Sequence, residues 1–346
     1  MISVYTSSTR ALGNITTRLK RPGDTRSSSR YRPRMASRVS SIVPNPEALC
    51  RSLVKLRAVV PQDAFTAGIL GSERVGSGVI IDADGLILTI GYLITEASDV
   101  WLTTHQGRQV AGHALAYDQA TGFGLVLPLE SLALPPLSFG SSDELSAGSQ
   151  GCVLSYIDFA RPQAVRILAR REFAGAWEYL LDDAIFTIPA HTHWSGAALI
   201  DERGALVGLG SLLVREAVAG EEINANMFVP TDLLVPILED LRTLGRANRA
   251  PRPWLGVYAV ELSGKVYVSG VAEGGPAQLV RIREGDLITH IADHEVSDLA
   301  QFYRDLWALG PAHIDVPLTL VRGGSHLKVT LHSVDRNDLL KRPLVH

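Results

Sequence analysis

The strongest constraint on this chain is a unit that recurs for about 200 residues: a short apolar run closed by turn chemistry. Val79-Ile80-Ile81 is followed by Asp82-Ala83-Asp84-Gly85 and then Leu86-Ile87-Leu88. Two apolar runs joined by an Asp-Gly turn are a strong short-range signal for a β-hairpin. Similar runs lie at 100–102, 125–127, 151–155, 165–169, 198–200 and 206–209. Thr121-Gly122, Gly140-Ser141-Ser142-Asp143 and Asp201-Glu202-Arg203-Gly204 separate them. Many short strands with regular turns predict a sandwich or a pair of barrels. Residues 43–245 are too many for one small barrel and enough for two.

After Thr231 the period changes. Leu233, Leu234, Ile237, Leu238 and Leu241 fall at helical spacing, and Gly245 can end the helix. A polar linker with two prolines, 246–253, leads to a module at 254–335 that mixes strands with helical stretches near 277–280 and 298–308. That module is α+β and large enough to fold alone. A length of 346 residues fits this division into more than one domain.

Charge separates a further part. The first forty residues hold nine basic side chains against one acid, Asp24, leaving 24 basic and 35 acidic residues in the rest. The leader, 1–42, is Arg- and Ser-rich, and its composition predicts disorder. Three readings of it stand: a solvated tail, a transit-like targeting segment, or a stretch upstream of a start at Met35. It lacks the apolar core of a secretory signal, which favours the cytoplasm; as a targeting segment it would favour the periplasm or an organelle. Without aromatic interleaving it gives no support to nucleic-acid binding. Residues 336–346 form a short tail. Cys50 and Cys152 have no Cys or His at metal-ligand spacing, so neither a metal nor a cofactor is expected. No apolar run reaches the length of a membrane span.

Several strings together carry a resemblance. Gly76-Ser77-Gly78-Val79-Ile80-Ile81, Asp84-Gly85-Leu86-Ile87-Leu88-Thr89 and Asn226-Met227-Phe228-Val229-Pro230 resemble the protease domain of HtrA/Deg-type serine proteases. Trp254-Leu255-Gly256-Val257, Gly275-Pro276-Ala277 and Glu284-Gly285-Asp286-Leu287-Ile288 resemble the PDZ domain of that family. The resemblance spans about 43–334. It implies a mainly β chain, a chymotrypsin-like double β-barrel followed by an α+β PDZ domain.

The family's chemistry needs a serine nucleophile, a histidine base and an aspartate that orients the base. The family's Thr-Asn-Ala-His stretch reads Thr89-Ile90-Gly91-Tyr92 here, which puts Tyr92 at the base position. A phenol with a reference pKa of about 10 does not deprotonate serine at neutral pH as imidazole does. The orienting aspartate falls at Gly122, and Asp118 matches an earlier, turn-forming aspartate. Gly-Asn-Ser-Gly-Gly-Pro-Leu reads His193-Trp194-Ser195-Gly196-Ala197-Ala198-Leu199. Ser195 remains, and His193 replaces the glycine whose N–H the family uses in its oxyanion hole. The run from Asp183 to Ser195 is also about four residues longer than the family's. His191 and His193 lie too close in sequence to Ser195 to face it across a cleft, and His105 and His113 read as strand or surface residues.

The resemblance therefore implies a pseudoprotease that binds peptides through its PDZ domain. The alternative is an endopeptidase that uses Ser195 with an unconventional base. In PDZ domains, backbone N–H groups of a short loop take a peptide's terminal carboxylate while the peptide adds a strand to the sheet edge. Trp254, Leu255, Gly256 and Val257 match that loop, and Leu299, Phe302, Tyr303 and Leu306 are candidates for the groove's helical wall. The implied partners are peptide or protein C-termini. The resemblance also implies a homo-trimer, or a mixed trimer with an active relative.

Overall fold

Alternation along the short strands closes two barrels in succession. The structure, a computed structural model, describes residues 39, 41–156, 162–218 and 221–341. Most of the basic leader and the last five residues of the tail lie outside them. In the first barrel, β1 (Leu53–Val59), β2 (Glu73–Ile80), β3 (Ile87–Ile90), β4 (Asp99–Thr103), β5 (Gln109–Tyr117) and β6 (Phe123–Pro128) close in the order β1-β2-β3-β6-β5-β4. Along β1, Leu56 and Ala58 point into the core while Arg57 between them reaches Glu73 at the surface. The Asp-Gly turn sets the β2–β3 hairpin, pairing Val79 with Leu88 and Ile80 with Ile87. Gly85 supplies the left-handed residue, at φ 87°, and Asp82 accepts the N–H of Leu86.

The second barrel contains β7 (Gln150–Leu154), β8 (Gln163–Gly175), β9 (Tyr179–Ile188), β10 (Ala198–Ile200), β11 (Leu206–Val218) and β12 (Glu221–Pro230). Its order is β10-β11-β12-β9-β8-β7. β8 and β9 form a long hairpin that runs out of the barrel, with Gly175 paired to Tyr179 at its tip.

The helix expected from Leu233 is broken. Two 3-10 turns, Thr231–Leu233 and Val235–Ile237, precede an α-helix at Leu238–Leu244. Pro236 lacks the N–H a continuous helix would use. Gly245, at φ 71°, ends the helix in the left-handed conformation.

The linker is pinned on both sides. Arg249 pairs with Asp118 of the first barrel, and the Arg252 guanidinium lies 3.9 Å above the Trp307 ring. The last module is a sheet of β13 (Val257–Leu262), β14 (Lys265–Val271), β15 (Leu287–Ile291), β16 (His294–Glu295), β17 (Asp315–Arg322) and β18 (Ser325–His332). Its order is β13-β14-β15-β17-β18, with β16 beside β15, so β13 is an edge strand. The helix Leu299–Ala308 starts where Asp298 accepts the N–H of Gln301 at 2.7 Å. Leu299, Ala300, Phe302, Tyr303 and Leu306 form its buried face.

Candidate active site and peptide groove

The nucleophile loop is clamped between the barrels. Ser77 N–H on β2 donates to the carbonyl of Ser195 at 2.9 Å, and Gly196 N–H donates to Gly210 on β11 at 2.9 Å. Gly196 has φ 70°, and a Cβ there would lie 2.1 Å from the Ser77 carbonyl oxygen. Gly76 also permits close approach, because a Cβ there would lie 2.8 Å from the Ser195 carbonyl oxygen. Ser195 is consequently buried, with 6% of its surface exposed.

Tyr92 sits in the 3-10 turn Gly91–Leu93 that follows β3 and reaches across to this loop. Its Oη lies 2.8 Å from Ser195 Oγ and 3.0 Å from the carbonyl oxygen of Ser211. A carbonyl only accepts, so the single phenolic proton satisfies both contacts when Tyr92 donates to Ser211 and Ser195 donates to Tyr92. Burial raises the Tyr92 pKa above its ordinary value, and the hydrogen bond with Ser195 offsets part of that rise. The phenol therefore stays neutral at physiological pH. It is a hydrogen-bond partner for the serine hydroxyl, not a sink for its proton.

Gly122 lies where the N–H of Gly91 meets its carbonyl at 2.7 Å. At φ 84° it occupies a left-handed position, and a Cβ would stand 3.2 Å from Tyr179 Oη. A carboxylate is therefore absent here, and the backbone disfavours any side chain. Asp118 is a turn residue: its Oδ2 accepts from the N–H and the hydroxyl of Thr121 at 3.0 and 2.7 Å.

The histidines of the nucleophile loop turn toward each other. His193 N–H donates to His191 Nδ1 at 3.0 Å, and His191 N–H donates to Asn226 Oδ1 at 2.6 Å. The backbone N–H of His193, which the resemblance places at the oxyanion hole, is thus engaged by an imidazole of its own loop. His193 has no positive φ; the left-handed residue of this turn is Gly196. Ser195 Oγ thus meets the Tyr92 phenol, position 122 carries no side chain, and the N–H of His193 is bound within its own loop.

The PDZ loop is filled. Leu255, Gly256 and Val257 donate their N–H groups to Glu178 Oε1 at 3.1, 3.0 and 3.3 Å, and Leu255 also reaches Oε2 at 3.3 Å. Trp254 anchors the loop's start by pairing with Val334, and Gly256 takes φ 74° against the Trp254 ring. Glu178 belongs to the tip of the β8–β9 hairpin and itself adopts φ 58°. The loop residues expected to face a peptide are thus occupied by a barrel side chain. Sequence reasoning missed Glu178, because a lone acid in a turn carries no motif.

Burial raises the Glu178 pKa to about 7 from an ordinary 4.5, against the loop N–H groups and Arg336, which lower it. Tyr258 on β13 and Tyr303 on the helix also face it. An acid with a higher pKa folded than unfolded binds its proton more tightly when folded, so stability falls as pH rises from about 4.5 to about 7. The full span corresponds to about 3 kcal/mol. Melting curves between roughly pH 5 and 8 should show this loss. Glu178→Gln, which does not titrate, should abolish it.

The chain matches the trypsin-like peptidase domain family over residues 76–209 and the PDZ domain family over residues 253–332. It carries a trypsin-like peptidase domain followed by a PDZ domain. A Halomonas elongata protein named as a DegP-like periplasmic serine endoprotease is 22% identical over 285 residues, covering 78% of this chain and 58% of that protein. A Synechocystis protein named as the serine protease HhoA is 25% identical over 288 residues, covering 75% and 70%. The chain thus spans less than two thirds of the Halomonas relative. The solved structure of the HtrA-type protease AlgW with a decapeptide overlays with a TM-score of 0.51 at 20% identity, covering 89% of this chain and 99% of that one. That overlay shows a shared fold.

Proposed function

We propose that this chain is a pseudoprotease of the HtrA type, a peptide- and protein-binding scaffold rather than a proteolytic enzyme. The carrying observation is the 2.8 Å contact between the neutral Tyr92 phenol and Ser195 Oγ. The engaged His193 N–H and the left-handed backbone at Gly122, which disfavours a side chain, support the same reading. Loss of a triad member costs about four to six orders of magnitude in turnover. Binding is the function left to the PDZ domain, with peptide or protein C-termini as its ligands. The competing reading, an endopeptidase with an unconventional base, is tested by incubating the purified chain with casein. No degradation above the Ser195→Ala background is expected. Turnover that disappears in Ser195→Ala overturns the proposal.

A further inference from the structure

The tip of the β8–β9 hairpin meets the last module in the way an extended peptide meets a PDZ groove. Its carboxylate, on Glu178, collects three successive backbone N–H groups of the loop Leu255, Gly256 and Val257. Two residues earlier, the Ala176 carbonyl accepts the N–H of Ala259 at 2.9 Å, a hydrogen bond along the edge strand β13. On the helical side, Tyr303 Oη donates to the Gly175 carbonyl at 2.8 Å and accepts the Glu178 N–H at 3.2 Å. Leu180 is buried within the core of the last module, and Ala174 packs against that core. Arg304 on the helix pairs with Glu172 and Asp182, one on each arm of the hairpin. Carboxylate in the loop, backbone on the edge strand and apolar side chain in the core are the three elements of peptide capture by strand addition.

We propose that this hairpin is a built-in ligand of the PDZ groove, its Glu178 carboxylate seated where the terminal carboxylate of a captured peptide would sit. The proposal rests on the reading above that the loop takes peptide carboxylates. Its consequence is competition. Each loop N–H is a single donor, and Leu255, Gly256 and Val257 cannot serve Glu178 and a second carboxylate together. A peptide ending in a free hydrophobic residue therefore enters only as the hairpin leaves. The resting groove is closed, and apparent affinity is reduced by the fraction of molecules that are open. The left-handed backbone at Glu178 is consistent with this, since a non-glycine residue holds φ 58° only where its surroundings enforce it.

The test uses the full chain, with fluorescein-labelled peptides ending in Val, Leu or Phe, each prepared as the free acid and as the amide. Fluorescence anisotropy compares wild type with Glu178→Ala and Glu178→Gln. Glu178→Gln keeps the side-chain volume should Glu178→Ala fold poorly, and Arg304→Ala loosens the hairpin from outside the loop. The expected result is at least about tenfold tighter binding of the acid peptides to Glu178→Ala, with a smaller gain for the other two variants. The amide peptides should show no such gain. Equal acid-peptide affinity in wild type and all variants overturns the built-in ligand while leaving the PDZ reading intact. Failure of every variant to bind, or equal binding of acid and amide, overturns both.

Discussion

Restoring both missing triad side chains, Tyr92→His together with Gly122→Asp, should yield at most a trace of proteolysis. The difficulty lies in what surrounds the two positions. Gly122 holds φ 84°, which an aspartate adopts only with strain, and its Cβ would approach Tyr179 Oη to 3.2 Å. The new carboxylate would thus distort the turn that must aim it. The oxyanion donor is a separate defect, since His193 N–H is bound to His191 Nδ1. Removal of one oxyanion-hole donor costs about two to three orders of magnitude. Adding His193→Gly, whose freer backbone lets this N–H turn away from His191, should raise casein turnover more than either earlier change alone. Robust proteolysis from the two-residue repair would contradict the description of the nucleophile loop.

Gly196→Ala should be among the most damaging single substitutions in the chain. The residue holds φ 70°, and a Cβ would be placed 2.1 Å from the carbonyl oxygen of Ser77, a backbone atom of the other barrel. Backbone cannot rotate away as a side chain can. Relief requires the loop to separate from β2, breaking the 2.9 Å hydrogen bond from Ser77 N–H to the Ser195 carbonyl. Strain and lost contact together should destabilise by about 4 kcal/mol or more. For a unit of this size that is a fall in melting temperature of roughly 8–16 °C. Ser195→Ala, by contrast, removes only the hydroxyl that meets Tyr92 and should shift the transition far less. An unchanged melting temperature in Gly196→Ala would show that the clamp is not rigid. The comparison also separates two reasons for a small-residue loop at this place: packing between the barrels, and chemistry at Oγ.

The hairpin at residues 79–88 was legible because Asp-Gly between apolar runs has few other uses, and the structure pairs it through Val79 and Leu88. The β8–β9 hairpin was not. Its tip, Ala176-Trp177-Glu178, lacks the usual turn residues, and its left-handed backbone at Glu178 is held by contacts with a module 77 to 79 positions away. The break in the expected helix after Leu233 follows from Pro236, a signal that was present but outweighed by the helical spacing of the leucines. At the site, the residue types at 92, 122, 193 and 195 could be read in register with the family's strings. Their interactions could not. That Tyr92 meets Ser195 across 103 positions, and that His193 turns its N–H onto His191, depends on how two barrels and one loop pack. Asp118 could be read as a turn residue because it aligns with the family's turn-forming aspartate, and its carboxylate does bond its own loop through Thr121.

The central claim is that Ser195 is held by a neutral phenol and not activated. Intact-mass spectrometry after treatment with a fluorophosphonate tests it most directly, because the reagent modifies a serine only where its hydroxyl is made nucleophilic. An unchanged mass is expected for the wild-type chain, as for Ser195→Ala, under conditions that fully label a working serine protease. One adduct per chain, mapped to Ser195 and lost in Ser195→Ala, would contradict it.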